Sequence, residues 1–549
     1  MRSKPQESDE VRIDHSLNKN EEEFVAKRRK DIQQSLKKLK IHCSENEVPN
    51  IALLGSGGGE KAMVGLLGSL DQLQKTGLLD CILYLSGVSG STWCMASLYQ
   101  EPDWSTKLDT VKDNIIDRLT GPGVSWTDAF SKLKKYYSEK DKFSFTDFWA
   151  AMVVTDYVKE IDEDTLTDHW DQLSKDPFPI YTAIDKQSEQ RKDADPWFEF
   201  TPYEAGYSLT GAFVETSSFG SEFDNGCKIK KQPEIDMLYL QGLCGSALAD
   251  GYKILEFIWE KIKEFLFEVF EEKRKEDPDC PPIDKCYQVL MDLVDMNLSV
   301  LKGINPSDLD ESIRTKLKEL SGGKNFHMKK LNLTDKEAAK QSMEQYTVNV
   351  CNFLSLIFSF WPFDILMSIF ICMAQWKWGR NYNFLYKMKD EAVPSTLQKS
   401  KTRDYIDAGL LLNSPYFSVL REERDIDLII SLDFSDGDPF MTVRETAEKC
   451  RKLNIPFPEV KVPVDDVKKP KDFYVFKGQN APTVIHIPLF NVVNCGDKIE
   501  DWRNKYATFQ LPYKDLQMIT DLMDVAGKNI TNNVDNLKEQ ISLAIKKHK

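Results

Sequence analysis

The chain has 549 residues, a formal net charge of −15, and 41% apolar and 29% charged residues. The acidic balance argues against a nucleic-acid partner, whose affinity is built on phosphate neutralisation, and against attachment to anionic membranes by global charge. With only 27 Gly and 24 Pro the chain is neither fibrous nor of low complexity, and its length exceeds one simple core. The 11 Cys are scattered singly with no C-x-x-C pair, so no zinc ribbon or thioredoxin-like site is expected, and a reducing compartment is. No apolar leader precedes residue 20 and the last residues, Ala544 to Lys549, carry no prenylation box, so the expected location is the cytoplasm.

In chain order, residues 1–20 read as disordered, and residues 21–41 as a solvated amphipathic helix that braces the fold. Pro49 to Leu54 reads as a short buried strand running into Gly55-Ser56-Gly57-Gly58-Gly59. A helix over about 60–76 carries Met63, Leu66, Leu67, Leu70 and Leu73 on one face, and a second strand follows at Cys81 to Leu85. This is a βαβ unit, and it predicts a parallel sheet with a right-handed crossover. The glycine run has three readings. A dinucleotide loop would need Gly where Glu60 stands, and a Walker loop would need a trailing Gly-Lys-Ser/Thr that is absent. The third is an oxyanion hole, in which glycines leave backbone N–H groups bare at a helix N-terminus.

The second strand leads into Gly87-Val88-Ser89-Gly90-Ser91 and a helix-compatible segment from Thr92 to Tyr99. That is a near-match to the G-x-S-x-G nucleophile elbow, in which a serine sits on a tight strand-to-helix turn. Adjacent parallel strands bring the serine and the glycine run to one sheet edge, where open α/β folds place their sites. The conjunction points to acyl transfer. Further strands are read at Pro177 to Asp185, Trp197 to Pro202, Ile426 to Phe434 and Thr483 to Ile487, with helices closing the chain from about Lys514.

Residues 251–375 differ in character. Ile254, Leu255, Ile258, Trp259, Ile262, Phe265, Leu266, Val269 and Phe270 make an amphipathic stripe that either packs on the main body or touches lipid. Phe353 to Ala374 is long enough to span a membrane, but Pro362 and Asp364 at its middle argue for two short helices instead.

A serine nucleophile needs a base. The order Ser89, Asp407, His486 would suit a triad, yet His486 lies in an apolar strand and reads more readily as a packed, satisfied core histidine. The other reading is a Ser89–Asp407 dyad, in which the site must desolvate the carboxylate to make it basic enough.

Three motifs, Gly55 to Gly59, Gly87 to Trp93 and Asp407-Ala408-Gly409, resemble the group IV cytosolic phospholipases A2. So do Trp197 to Pro202, Trp376 to Gly379 and Ser431 to Ser435, and the resemblance spans residues 45–510. It implies a patatin-like α/β fold: a central, mainly parallel sheet flanked by helices, with residues 1–45 as an N-terminal extension, 46–549 as the catalytic domain and 251–375 as a helical cap or lid. It implies Ser89 as nucleophile, Asp407 as base and Gly58 and Gly59 as oxyanion donors, with no metal and no cofactor. The family's phosphate-contacting arginine is Lys61 here, which keeps the charge and loses the bidentate fork. No room exists before residue 45 for the calcium-binding C2 domain most members carry, so calcium-independent activity is implied. The expected activity is sn-2 hydrolysis of glycerophospholipids through an acyl-serine, with lysophospholipase and transacylase activity following from that intermediate. The expected partner is a phospholipid membrane surface, engaged peripherally on intracellular membranes; the competing reading is a catalytically weakened lipid-binding homologue.

Overall fold

The computed structural model describes residues 11–169, 171, 175–246, 252–324, 328–508 and 510–547. Its frame is a 12-stranded mixed sheet. In chain order the strands are β1 (Val11–Ile13), β2 (Ile51–Gly55), β3 (Tyr84–Gly87), β4 (Phe178–Asp185), β5 (Trp197–Phe200), β6 (Glu204–Tyr207) and β7 (Ala212–Glu215). A separate hairpin follows, β8 (Glu222–Asp224) and β9 (Cys227–Lys230), and then β10 (Arg380–Tyr382), β11 (Thr402–Ile406), β12 (Leu428–Asp433), β13 (Tyr474–Phe476) and β14 (Thr483–Pro488). The spatial order is β1-β7-β6-β5-β4-β3-β2-β12-β14-β13. Only the run from β4 through β3, β2 and β12 to β14 is parallel. These strands are buried along their length, which is why they read as unbroken apolar runs. The β5 to β7 flank is antiparallel because the chain after β5 returns through short connections instead of helical crossovers.

One pairing positions the site. The chain leaves β3 at Gly87, opposite Tyr181 of β4. Further along the same edge of β4, β11 pairs antiparallel, with Ile406 opposite Ile184. So β3 and β11 point at each other end to end, and the residues that follow each strand, Ser89 and Asp407, meet in the gap. A helix α1 (Lys19–Lys38) packs behind the sheet, α2 (Gly59–Lys75) follows the glycine run, and α3 (Gly90–Tyr99) follows the elbow.

The N-terminal extension is more integrated than expected. Residues 1–10 lie outside the described residues, but Val11–Ile13 is a sheet strand paired with β7. In α1, Glu21 is buried against Arg424 and Tyr84, and Arg28 donates to the carbonyls of Ile82 and Lys175. The polar residues that suggested solvent are the buried attachment points.

Residues 252–375 hold the helices Tyr252–Glu276, Pro281–Leu301, Ser307–Leu320, Lys336–Ile357 and Phe363–Gln375, with no strand between them among the described residues. The stripe from Ile258 to Phe270 is buried, so the packing reading holds and the lipid reading does not. Phe265 sits against Trp126, Phe130 and Phe148, and Trp259 against Trp376. The side chain of Ile254 lies outside the described residues. The apolar segment 353–374 breaks into two helices on either side of Pro362, and no described helix is long and apolar enough to cross a membrane.

Candidate active site

Ser89 occupies the sharp turn between β3 and α3 with φ +53° and ψ −123°, a backbone conformation that a residue with a Cβ adopts only under constraint. The constraint is close packing of the elbow on the glycine loop. A Cβ on Gly90 would stand 1.8 Å from the carbonyl oxygen of Gly59, so only glycine fits there. Ser91, where the usual motif has glycine, donates from Oγ to the carbonyl of Ser56 at 2.6 Å and ties the two loops together.

The glycine loop is anchored from its other side. Ser56 N–H donates to the Leu432 carbonyl, and Ser56 Oγ accepts from Phe434 N–H at 2.7 Å. Asn413 Nδ2 donates to the Gly57 carbonyl at 3.0 Å and to Ser435 Oγ at 2.7 Å, while Gly57 N–H donates to the Asn413 carbonyl. Gly58 and Gly59 follow with φ of +155° and +57° at the start of α2. Among the described residues neither of their N–H groups donates to a protein acceptor, and both glycines line the same cavity as Ser89. They are two unspent donors at a helix N-terminus.

Asp407 is fully buried just past the end of β11. Its N–H donates to Ser246 Oγ at 2.9 Å, and its Oδ1 accepts from Gly409 N–H at 2.8 Å. Oδ2 has no partner of regular hydrogen-bond geometry. Burial pushes the Asp407 pKa up to about 7, against the lowering effect of the Ser89 hydroxyl and the Gly409 N–H. Catalytic hydrogen bonds are commonly long in unliganded sites. The cavity of about 460 Å³ around these groups is lined further by Trp93, Trp149, Tyr157, Leu410, Leu411, Leu412 and Met441, an apolar wall suited to an acyl chain.

The two remaining candidates lie elsewhere. His486 is buried in β14, donates from Nε2 to the Pro439 carbonyl at 2.6 Å, and stands 3.8 Å from Asp433. Burial lowers its pKa, which keeps the ring neutral, and it does not line the cavity. Lys61 is only 3% exposed and forms an ion pair with Asp436, which does line the cavity. Asp436 also accepts from Thr508 N–H at 3.0 Å, and its pKa is lowered: Lys61 and that bond outweigh burial. Asn413, Ser246 and Asp436 were not singled out from the sequence. The signal for the first was a polar residue opening the Asn413-Ser414-Pro415 turn that follows the three leucines after Asp407-Ala408-Gly409; Ser246 and Asp436 had none beyond their polarity.

A family model described as the lysophospholipase catalytic domain matches residues 51–276. The chain is 34% identical to cytosolic phospholipase A2 gamma of Homo sapiens, over 97% of this chain and 96% of that protein. It is 33% identical to cytosolic phospholipase A2 gamma of Mus musculus, over 96% and 91%. The solved structure of human GIVD cytosolic phospholipase A2 superposes with a TM-score of 0.67 at 23% identity, covering 99% of this chain and 69% of that one, and so shares the fold.

Proposed function

This chain belongs to the cytosolic phospholipase A2 family and is a carboxylic ester hydrolase; from that premise we propose that it cleaves the sn-2 acyl ester of glycerophospholipids through an acyl-Ser89 intermediate, with Asp407 as the only protein base. Ser89 Oγ attacks the ester carbonyl as its proton passes to Asp407. The N–H groups of Gly58 and Gly59 take the oxyanion. Collapse breaks the bond to the glycerol oxygen, which leaves with the proton from Asp407. Water then attacks the acyl-serine with Asp407 again as base, and the fatty acid departs. A lysophospholipid in the same pocket gives lysophospholipase activity, and a lipid hydroxyl in place of water gives transacylation. Nucleophile, base and oxyanion donors are all side chains or backbone of this chain, which supports turnover without calcium.

The observation that carries this reading is Ser89 on a strained elbow beside a buried carboxylate whose pKa is about 7 and whose Oδ2 is otherwise unengaged. For Lys61 we infer a headgroup role exerted through Asp436, whose charge it balances. We assign peripheral attachment on the cytoplasmic face of intracellular membranes to the end of the helix Lys336–Ile357 and the linker after it, where Leu356, Ile357 and Trp361 are 86%, 40% and 59% exposed. The test is fatty-acid release from phosphatidylcholine vesicles with a calcium chelator present. The parent is expected to release fatty acid and Ser89→Ala to fall to background. Equal release by both would overturn the role of Ser89, and release only with calcium would overturn the metal-free reading.

A further inference from the structure

Four carboxylates line the cavity, Asp407, Asp436, Asp438 and Glu445, and among the described residues no lysine, arginine or histidine does. This is an odd lining for a site that admits a phosphodiester. Asp407 belongs to the chemistry. Asp436 is balanced from behind by Lys61, and Asp438 by Arg444. Glu445 forms no ion pair among the described residues, and it is half-buried. Met441, Thr442 and Glu445 are spaced as i, i+1 and i+4 and turn one face of the helix Met441–Leu453 to the cavity, with Asp438 just ahead of it. On that face Thr442 is 3% exposed, and its Oγ1 has no hydrogen-bond partner. The wall therefore offers one uncompensated negative charge and one buried oxygen without a partner, side by side.

Resting on the phospholipase reading above, we infer that this wall selects the headgroup by charge, and that Glu445 is the residue that sets the preference. The fitting ligand is a glycerophospholipid whose headgroup ends in an ammonium. Its cation faces Glu445, and its phosphate is balanced within the same headgroup. A primary ammonium also has an N–H to give to Thr442 Oγ1, which a quaternary one lacks. An anionic headgroup brings charge that nothing on this wall balances. The chain's net charge of −15 repels anionic lipid as well, but over a long range that salt screens beyond about 8 Å. Glu445 acts at contact and survives screening better.

The test uses neutral-detergent mixed micelles at physiological salt, holding dilute phosphatidylethanolamine, phosphatidylcholine or phosphatidylglycerol, so that the surface charge stays nearly constant. Rates are taken per active-site-titrated enzyme. The parent is expected to favour both ammonium lipids over phosphatidylglycerol in kcat/KM. Glu445→Gln is expected to shrink that ratio about three- to fivefold, and Glu445→Lys further. Thr442→Val is expected to lower the ratio of phosphatidylethanolamine to phosphatidylcholine. Glu448→Gln, on the same helix but paired with Lys452 away from the cavity, is expected to leave all ratios alone. The inference is overturned by a parent with no headgroup preference, by ratios unmoved in both Glu445 variants, or by Glu448→Gln shifting them as much as Glu445→Gln. A titratable Ser89 with no fatty acid released from any of the three lipids would instead overturn the phospholipase reading on which it rests.

Discussion

At the scale of single residues, the proposed dyad trades stability for reactivity at Asp407. A carboxylate of ordinary pKa is too weak a base to activate a hydroxyl at neutral pH, and burial raises this one to about 7. The same shift opposes folding. An unfolded Asp ionises near pH 4, so the folded state holds its proton over the window from about 4 to 7, and stability falls as pH rises through it. Asp407→Asn is therefore expected to lower turnover about 10²- to 10⁴-fold while raising unfolding free energy at pH 8 by up to about 4 kcal/mol. Chemical denaturation and kinetics on one preparation check both. The elbow at Ser89 and the turn at Asp407 were readable in the residues themselves. The core place of His486 was readable from the apolar residues around it, but its partner, the Pro439 carbonyl, lies on another part of the chain and was not.

At the scale of elements, the βαβ unit from β2 to β3 was legible because its apolar runs and glycine punctuation are local. The meeting of β3 with β11 was not, because it depends on register against β4, whose partners are far apart in sequence. The antiparallel half of the sheet escaped for a similar reason, since short connections between strands leave a weaker pattern than a crossover helix. The elbow and the glycine loop work as one unit, joined where Gly90 touches the Gly59 carbonyl. Gly90→Ala must push that carbonyl away and move with it the N–H groups proposed to hold the oxyanion. The expected result is a loss of at least about 10²-fold in kcat, with secondary structure retained by circular dichroism. Unchanged kcat in that variant would mean the two loops do not act together.

At the scale of the whole molecule, the N-terminal segment is part of the frame. Glu21 of α1 and Glu199 of β5 share Arg424 in a fully buried cluster that also holds Arg421. Removing one partner of such a cluster strands a charge in the interior. Glu21→Ala is expected to cost about 3–5 kcal/mol in denaturant unfolding, although residue 21 lies far in sequence from both Ser89 and Asp407. Whether the assembled molecule activates its serine with one carboxylate alone is tested most directly by the rate at which a fluorophosphonate labels Ser89 across the pH range. The rate is expected to rise with pH around a midpoint near about 7, to lose that step in Asp407→Asn, and to keep it in His486→Gln. A step that persists in Asp407→Asn and vanishes in His486→Gln, or label recovered on a residue other than Ser89, would contradict the dyad.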